Sequence, residues 1–600
     1  MAESLIGKIG DFLHLHRPWY KLPRLLAMPR LIEIRNQLRR ENLYDTEDPP
    51  FEKQTPKADP SLRTARTVDG IHNDLDYPRM GCAGARFGRN VPLDHTRPNP
   101  ATLLEPSPRT VSLELMTRHT FQPVPFLNLL TASWIQFMTH DWFAHRRGTF
   151  NNAVEIPLAD GDPWPERPMR VPRTPADPPK HAGSSRPPAY ANEVTHWWDG
   201  SQIYGSDRKT AAKIRTGRDG KIHADVDGKL PLDPETGLDL TGFIDNWWIG
   251  LSMLHGLFAL EHNAVCDRLK SEHPTWTDEE LYGKARMINA ALMAKIHTVE
   301  WTPAILPHPV IQIAMNTNWR GLAGEDLQDV FEFLDDNEIL GGIVGSDTDH
   351  HAAPFSMTEE FIAVYRMHPL LPDDYTFRSA KDHSLLAQRT LADINGRKSR
   401  AVLDRLSMTD LFYSFGVMHP GAIRLHNYPR HLQSHRRDNG DLFDVASIDI
   451  LRDRERGVPR YNEFRRLLHK EPVRSFEELT DNPQWAEEIR RVYNNDIDLV
   501  DLMVGLYAEP LPEGFGFSET AFRLFVLMAS RRLKSDRFFT RDWRPEVYTQ
   551  TGLDWVRNNS MLTVLQRHYP GLAAALDGVE NAFNPWKAAA QPFQAAAGQK

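Results

Sequence analysis

Residues 126–145 read FLNLLTASWIQFMTHDWFAH. Leu129, Leu130, Trp134, Ile135, Phe137, Met138 and Trp142 cover most sides of a helical wheel, so the spacing predicts a helix buried nearly all round inside a large helical body. One stripe departs from that pattern: Ser133, Gln136 and His140 recur at i, i+3 and i+7 and share a face. Polar groups on a buried face need partners, and a cofactor with a polar reaction site would supply them. A neutral imidazole at a haem edge takes a proton from bound peroxide and returns it to the leaving oxygen, while Gln136, one turn earlier, holds the ligand or a water. A core histidine satisfied by a neighbouring carbonyl fits this helix, taken alone, equally well.

Asp141 follows His140 and points about 100° away from it. Downstream, Thr195-His196-Trp197-Trp198-Asp199-Gly200-Ser201 sets oxygen-bearing side chains at alternate positions, as a loop does when it wraps side chains and carbonyls around a hard cation. Thr195, the Trp197 carbonyl, Asp199 and Ser201, joined by Asp141, would make an oxygen-rich calcium cage; without Asp141 the loop also reads as an Asx and Ser turn. Further on, Ser356 and Glu359 carry a capping-box signature and Pro369 stops what they start, which predicts a helix ending at His368. Tyr365 falls three residues earlier on the same face, about 5–6 Å away between β-carbons. A histidine there can bind a haem iron, and a tyrosine beside the porphyrin is then close enough to lose an electron and a proton to an oxidised haem. With 15 Tyr and 25 His in the chain, about 0.6 Tyr-x-x-His pairs arise by chance, so context has to carry the assignment.

The rest of the sequence narrows the class. Its 600 residues are 40% hydrophobic and 25% charged, an ordinary folded composition, and most segments repeat apolar residues at three- and four-residue spacing with few alternating runs. The expectation is an all-α protein with one large domain over 61–587. A basic amphipathic arm at 1–60 precedes it and a frayed Ala- and Gln-rich tail at 588–600 follows. Ten prolines between 157 and 188 predict an extended surface loop without regular structure. Cys82 and Cys266 are too few for a disulfide framework or a thiolate cluster, and the first thirty residues contain no apolar run suited to a signal peptide or a membrane span. A cytoplasmic monomer is therefore expected. Net charge is −9, yet residues 1–40 carry eight Lys/Arg against three Asp/Glu. The negative remainder gives nucleic acid no purchase. Leu5, Ile6, Ile9, Phe12 and Leu13 form one stripe followed by Trp19 and Tyr20, so the arm either lies on an anionic membrane surface as a peripheral contact or packs on the protein's own body.

Read in order, these segments resemble the peroxidase and cyclooxygenase superfamily of haem proteins, and within it the fatty acid α-dioxygenases. Gln136-x-x-x-His140-Asp141 resembles the family's distal helix, residues 195–201 its calcium loop, and Tyr365-Arg-Met-His368-Pro-Leu-Leu-Pro its radical tyrosine and proximal histidine. Phe87-Gly-Arg-Asn-Val-Pro, Glu261-His-Asn, Arg452-Asp-Arg-Glu-Arg, Pro459-Arg-Tyr-Asn and Ser518-Glu-Thr-Ala-Phe agree as well, so the likeness runs from about 65 to 570. It implies a large, mostly helical haem peroxidase/cyclooxygenase-like fold with the haem between two histidine-bearing helices. Haem b and calcium are the implied cofactors, and a fatty acid, O2 and an activating peroxide the implied reactants. The resemblance also implies a clamp on the fatty acid carboxylate made of a histidine, a threonine five residues later and an arginine near the C-terminus. His297 and Thr302 match the first two; Arg537 in Asp-Arg-Phe-Phe-Thr best matches the third, with Arg531 and Arg532 competing. An arginine suits the task because its planar fork grips a carboxylate through paired, charge-assisted hydrogen bonds.

The implied reaction converts Tyr365 to a tyrosyl radical, which removes a hydrogen from the fatty acid α-carbon. Dioxygen then adds to give a 2(R)-hydroperoxy acid, from which loss of carbon dioxide leaves an aldehyde one carbon shorter. Departures from the peroxidase branch refine this. Thr139 stands where covalently linked peroxidases carry an ester-forming aspartate, so a non-covalent haem is expected. Ile244-Asp245 stands where they carry a distal arginine, so classical peroxidase turnover is expected to be poor. Asp449 stands where they place the asparagine that contacts the proximal histidine, and a carboxylate there makes the imidazole more electron-rich. Animal cyclooxygenases share the Tyr-x-x-His-Pro-Leu-Leu-Pro pattern but carry a disulfide-rich module that two cysteines cannot build. Oxygenation of an interior carbon, peroxidase turnover on phenols, and non-catalytic haem or membrane binding are the alternatives.

Overall fold

Apolar spacing at three and four residues becomes helix in most of the regular structure, and the strands amount to three two-stranded antiparallel ribbons among the described residues. The computed structural model describes residues 18–55, 57, 59–178, 185–321 and 338–589. At its centre the helix Leu130–Trp142 packs on Ile249–Glu272 and on the short helix Ser201–Tyr204, and Ile249–Glu272 packs in turn on Asp278–Ile296. Leu130–Trp142 is shorter than its predicted span. Asn128 sets its start by accepting from Leu130 N at 3.1 Å while donating to the Ala582 and Asn584 carbonyls. Extended backbone at Phe143 (φ −155°, ψ 138°) ends it. Trp134, Phe137, Met138 and Trp142 are fully buried, each contributing about 1.5–3 kcal/mol of apolar burial.

The proline-rich stretch departs from expectation. Met169–Pro172 pairs with Ala153–Ile156 in a ribbon whose register runs from Ala153 opposite Pro172 to Ile156 opposite Met169. Pro172 is tolerated because it closes the strand at the ribbon's end, where a missing N–H breaks little of the ladder. Val154, Ile156, Met169 and Val171 then bury a small satellite core with Trp164 and Leu451.

Residues from 18 onward join the main body. Trp19 is buried, its Nε1 donates to Glu519 Oε1 at 3.2 Å, and the helix Arg24–Glu41 packs on Glu519–Ser535 and Pro309–Arg320 through a face that includes Leu31, Ile34 and Leu38. The stripe Leu5, Ile6, Ile9, Phe12 and Leu13 lies outside the described residues, as does nearly all of the predicted tail. No described helix is long and apolar enough to cross a membrane.

The second histidine segment is built differently from its sequence reading. Thr358, not Ser356, caps the helix by accepting from Phe361 N, and the helix covers only Glu359–Val364. Tyr365 already leaves helical geometry (φ −92°, ψ 12°), and His368 opens a separate three-residue turn, His368–Leu370. Pro369 explains the break: its ring disfavours helix at the preceding residue, while its fixed φ suits the start of a new turn. Tyr365 and His368 therefore project from a junction, not from one continuous helical face.

Candidate active site

His297, Thr302, Tyr365 and Arg532 meet in the wall of one small cavity, completed on its apolar side by Met315, Phe361, Phe525, Ala529 and Leu533. The Tyr365 ring stands edge-on to Trp142 (centroids 5.6 Å, 86°) and packs against Phe361 at 4.5 Å. Burial pushes its hydroxyl above the ordinary phenol range, against the pull of Arg532.

His297 begins the wide turn that follows the helix Asp278–Ile296. Trp134 Nε1 donates to its Nδ1 at 3.2 Å, and the ring stacks on Trp301 at 4.7 Å. Burial, with Arg532 nearby, holds its pKa well below the usual value. A neutral ring that accepts at Nδ1 carries its proton on Nε2, which makes that nitrogen a donor. Thr302 Oγ1 donates to the His297 carbonyl at 2.9 Å, tying the threonine to the same turn.

Arg532 is buried on the helix Glu519–Ser535, where Phe525, Ala529 and Arg532 recur at i, i+4 and i+7 on the cavity face. Its Nε and Nη2 have no hydrogen-bond partner. The guanidinium lies 3.8 Å over the Trp142 ring and 4.0 Å over Trp198. Burial pushes it down to about 9, partly offset by Asp141 and Tyr365, so it remains a cation at neutral pH. A buried cation without an ion pair is costly and calls for an anion.

Arg537, the arginine favoured from sequence, is elsewhere. It follows the helix end, donates from Nε to the Asn73 carbonyl at 2.8 Å and from Nη1 to the Arg63 carbonyl at 3.2 Å, and pairs with Asp542. Those bonds tie the N-terminal loops to the body and leave it out of the cavity wall. Arg531 is also engaged, donating to the Ala353 and Pro354 carbonyls at 2.7 and 2.9 Å. The structure thus places Arg532, and neither Arg537 nor Arg531, in the wall shared with His297, Thr302 and Tyr365.

The histidines reserved for a haem keep free nitrogens. His140 has no hydrogen-bond partner on Nδ1, its ring meets Phe243 at 4.8 Å, and burial pushes it down to about 4, so it is a neutral base at physiological pH. Gln136 is held on both sides, donating from Nε2 to the Asn246 carbonyl at 3.0 Å and accepting from Trp248 Nε1 at 2.8 Å, while Ser133 Oγ on the same stripe is unpartnered. The His368 side chain is about one-third exposed, and its Nδ1 lies 2.8 Å from Asp449 Oδ2. The contact is of ion-pair length although the N–H does not point along it. Burial opposes charge on Asp449, but His368 and Arg366 outweigh it and hold the carboxyl at about 2. Tyr428 donates to the same oxygen at 2.8 Å. With Nδ1 facing a carboxylate, His368 offers Nε2 to a metal. These donors fit a haem: His368 would hold its iron and His140 would serve as the base beside it. Thr139 donates its hydroxyl to the Gln136 carbonyl at 3.0 Å, and Asp245 pairs with Arg147.

In the 195–201 loop, Asp141 Oδ1 accepts from Ser201 N at 2.5 Å and Ser201 Oγ at 2.9 Å, and Asp199 Oδ1 reaches the same N–H at 3.2 Å. The two carboxylates thus converge. Burial and Asp199 push the Asp141 carboxyl above the usual carboxylate range. Asp141 Oδ2 and Thr195 Oγ1 are buried without partners. Gly200 makes the turn at φ 78°, where a β-carbon would also strike the Tyr204 ring at 2.8 Å. Orphan oxygens beside two crowded carboxylates fit a hard cation.

Residues 65–580 match the animal haem peroxidase family, the class that the fold and the paired histidines define. The α-dioxygenase PIOX of Oryza sativa subsp. japonica is 38% identical to this chain, covering 98% of it and 96% of the rice protein. Alpha-dioxygenase 1 of Arabidopsis thaliana is 39% identical, covering 95% and 90%. A crystal structure of the rice fatty acid α-dioxygenase, a tyrosine-to-phenylalanine variant with palmitic acid, is similar at a TM-score of 0.88 and 36% identity over 98% of each chain. The chain belongs to the animal haem peroxidase family and, within it, to the α-dioxygenases.

Proposed function

We propose that this chain oxygenates a long-chain fatty acid at the carbon next to its carboxylate. The observation that carries this reading is the unpaired Arg532 guanidinium in the wall of the cavity that also holds Tyr365. A carboxylate completes Arg532 and accepts from His297 Nε2, which places the α-carbon nearest Tyr365 and sends the chain along Met315, Phe525, Ala529 and Leu533. His368 would hold haem b non-covalently, since Thr139 offers no carboxylate to form an ester, and the bound haem would supply the one-electron oxidant for Tyr365. His140, neutral and unpartnered, takes up the proton of the activating peroxide. The Tyr365 phenoxyl radical removes the α-hydrogen, dioxygen adds to the carbon radical, and the peroxyl group takes a hydrogen atom back from Tyr365 to yield the 2-hydroperoxy acid.

The test is oxygen uptake by the haem-loaded protein with palmitic acid, followed by mass spectrometry. A saturated chain has no allylic hydrogen, so uptake giving the 2-hydroperoxide, or the aldehyde one carbon shorter, supports α-oxygenation. No uptake despite a normal haem spectrum sinks it.

Calcium at Asp141, Asp199, Thr195, Ser201 and the Trp197 carbonyl is part of the same reading, and the loop abuts the site directly: Trp198 lies within it, and Trp142 follows Asp141. Chelation is expected to lower the unfolding midpoint, because an ion at a hundredfold its Kd contributes about 2.7 kcal/mol. Calorimetry with and without chelator, on the native chain and on Asp141→Asn, measures this. A midpoint indifferent to calcium in both proteins removes the ion from the account.

A further inference from the structure

Trp142 stands between the group that grips the carboxylate and the group that takes the hydrogen. Fully buried, it carries the Arg532 guanidinium over its face at 3.8 Å and meets the Tyr365 ring at 5.6 Å and 86°. His297 packs on it at 5.1 Å and 89°. Its Nε1 has no hydrogen-bond partner, so no polar contact accounts for an indole where a phenylalanine would leave no donor unsatisfied. Trp198 stands perpendicular to it (87°, centroids 5.8 Å) and takes the same guanidinium over its own face at 4.0 Å. The two indoles form a right-angled corner. Arg531, one residue away, is held in the usual manner, by carbonyls that occupy its N–H groups. Arg532 is held by ring faces instead, which steadies the cation while its N–H edge stays free for a ligand.

We propose that Trp142 is the spacer that sets which carbon of the fatty acid Tyr365 attacks, and that Trp198 completes the corner aiming Arg532 at the carboxylate. The proposal rests on the α-oxygenation reading. Neighbouring carbons are about 1.5 Å apart, so a change of that size in the separation of Arg532 from Tyr365 brings the next carbon to the phenoxyl. Both indoles act through Arg532 and Tyr365 and are positioning residues. Their roles differ, because Trp198 has no ring contact with Tyr365.

The experiment compares the haem-loaded native enzyme, Trp142→Phe and Trp198→Phe on palmitic acid, reading KM, kcat and the position of oxygen in the products. Both variants are expected to raise KM about 3- to 10-fold through the lost ring face. Only Trp142→Phe is expected to form 3-oxygenated product, at about a tenth of the total or more. Trp142→Phe with native KM and purely 2-oxygenated product overturns the proposal, and so does the same loss of position specificity in both variants. If Trp142→Phe fails to take up haem, Trp142→Tyr is read by the same criteria. A native enzyme that makes no 2-hydroperoxide refutes the α-oxygenation reading itself, which is a separate result from failure of the spacer.

Discussion

Tyr365→Phe is expected to lower oxygen uptake with palmitic acid by at least about 10³-fold, a barrier increase of roughly 4 kcal/mol or more, while the haem spectrum and the unfolding midpoint stay near native. The two halves of this expectation have different causes. Activity is lost because a phenyl ring has no O–H from which to form a radical, and among the described residues no second tyrosine lines the cavity. Stability is kept because the ring contacts with Trp142 and Phe361 do not involve the hydroxyl, so its removal is expected to change stability by no more than about 1 kcal/mol. An oxygen electrode, the haem absorbance and a thermal melt measure the three quantities. Uptake within tenfold of native would move hydrogen abstraction to another group. Native peroxidase turnover on phenols in the same variant would be compatible with the assignment, since that chemistry needs no tyrosyl radical.

What could be read from the sequence followed how local each signal is. Ser133, Gln136 and His140 share one helix, so a single periodicity exposed them. Asp141 and the 195–201 loop needed only one long-range pairing, which the alternate oxygen positions suggested. The Tyr365 and His368 junction was misread because Pro369 announces a break without saying on which side of the histidine it falls. The ribbon at Met169–Pro172 was missed because proline density hid a strand whose only proline is its last residue. The preference for Arg537 over Arg532 has the same origin. The helix Glu519–Ser535 ends without a glycine or proline to mark the stop, so which arginine still lay on it was not visible. The Phe525, Ala529 and Arg532 stripe was a usable signal, because it puts an arginine on an otherwise apolar helical face. Nothing in the spacing of Trp142 and Trp198 announces that they share one guanidinium, because that pairing exists only after distant elements have packed.

Arg532→Leu is expected to raise KM for palmitic acid about 10²- to 10³-fold, equivalent to roughly 3–4 kcal/mol, the range for removing one partner of a buried, hydrogen-bonded charge pair. The same substitution is expected to leave the ligand-free protein as stable as native or more so when calcium is present. In the ligand-free chain Arg532 is a buried cation without an ion pair, and a leucine removes that buried charge from between Trp142 and Trp198, which offsets the space its shorter side chain leaves. Affinity and stability thus move in opposite directions, as at a site built for a ligand. Arg532→Lys keeps the charge but loses the planar fork and its stacking, so an intermediate KM is expected. Arg537→Leu is the contrasting case. It removes the donors to the Asn73 and Arg63 carbonyls and leaves Asp542 only the more distant Arg544 at 3.7 Å, so it is expected to destabilise the protein by about 3–5 kcal/mol with KM nearly unchanged. Steady-state kinetics and melts of the three variants separate a substrate-binding arginine from a structural one. A native KM in Arg532→Leu would mean that the carboxylate does not sit at this corner. The fatty acid would then enter tail first, Tyr365 would face an interior carbon, and the unpaired guanidinium would need another anion to explain it.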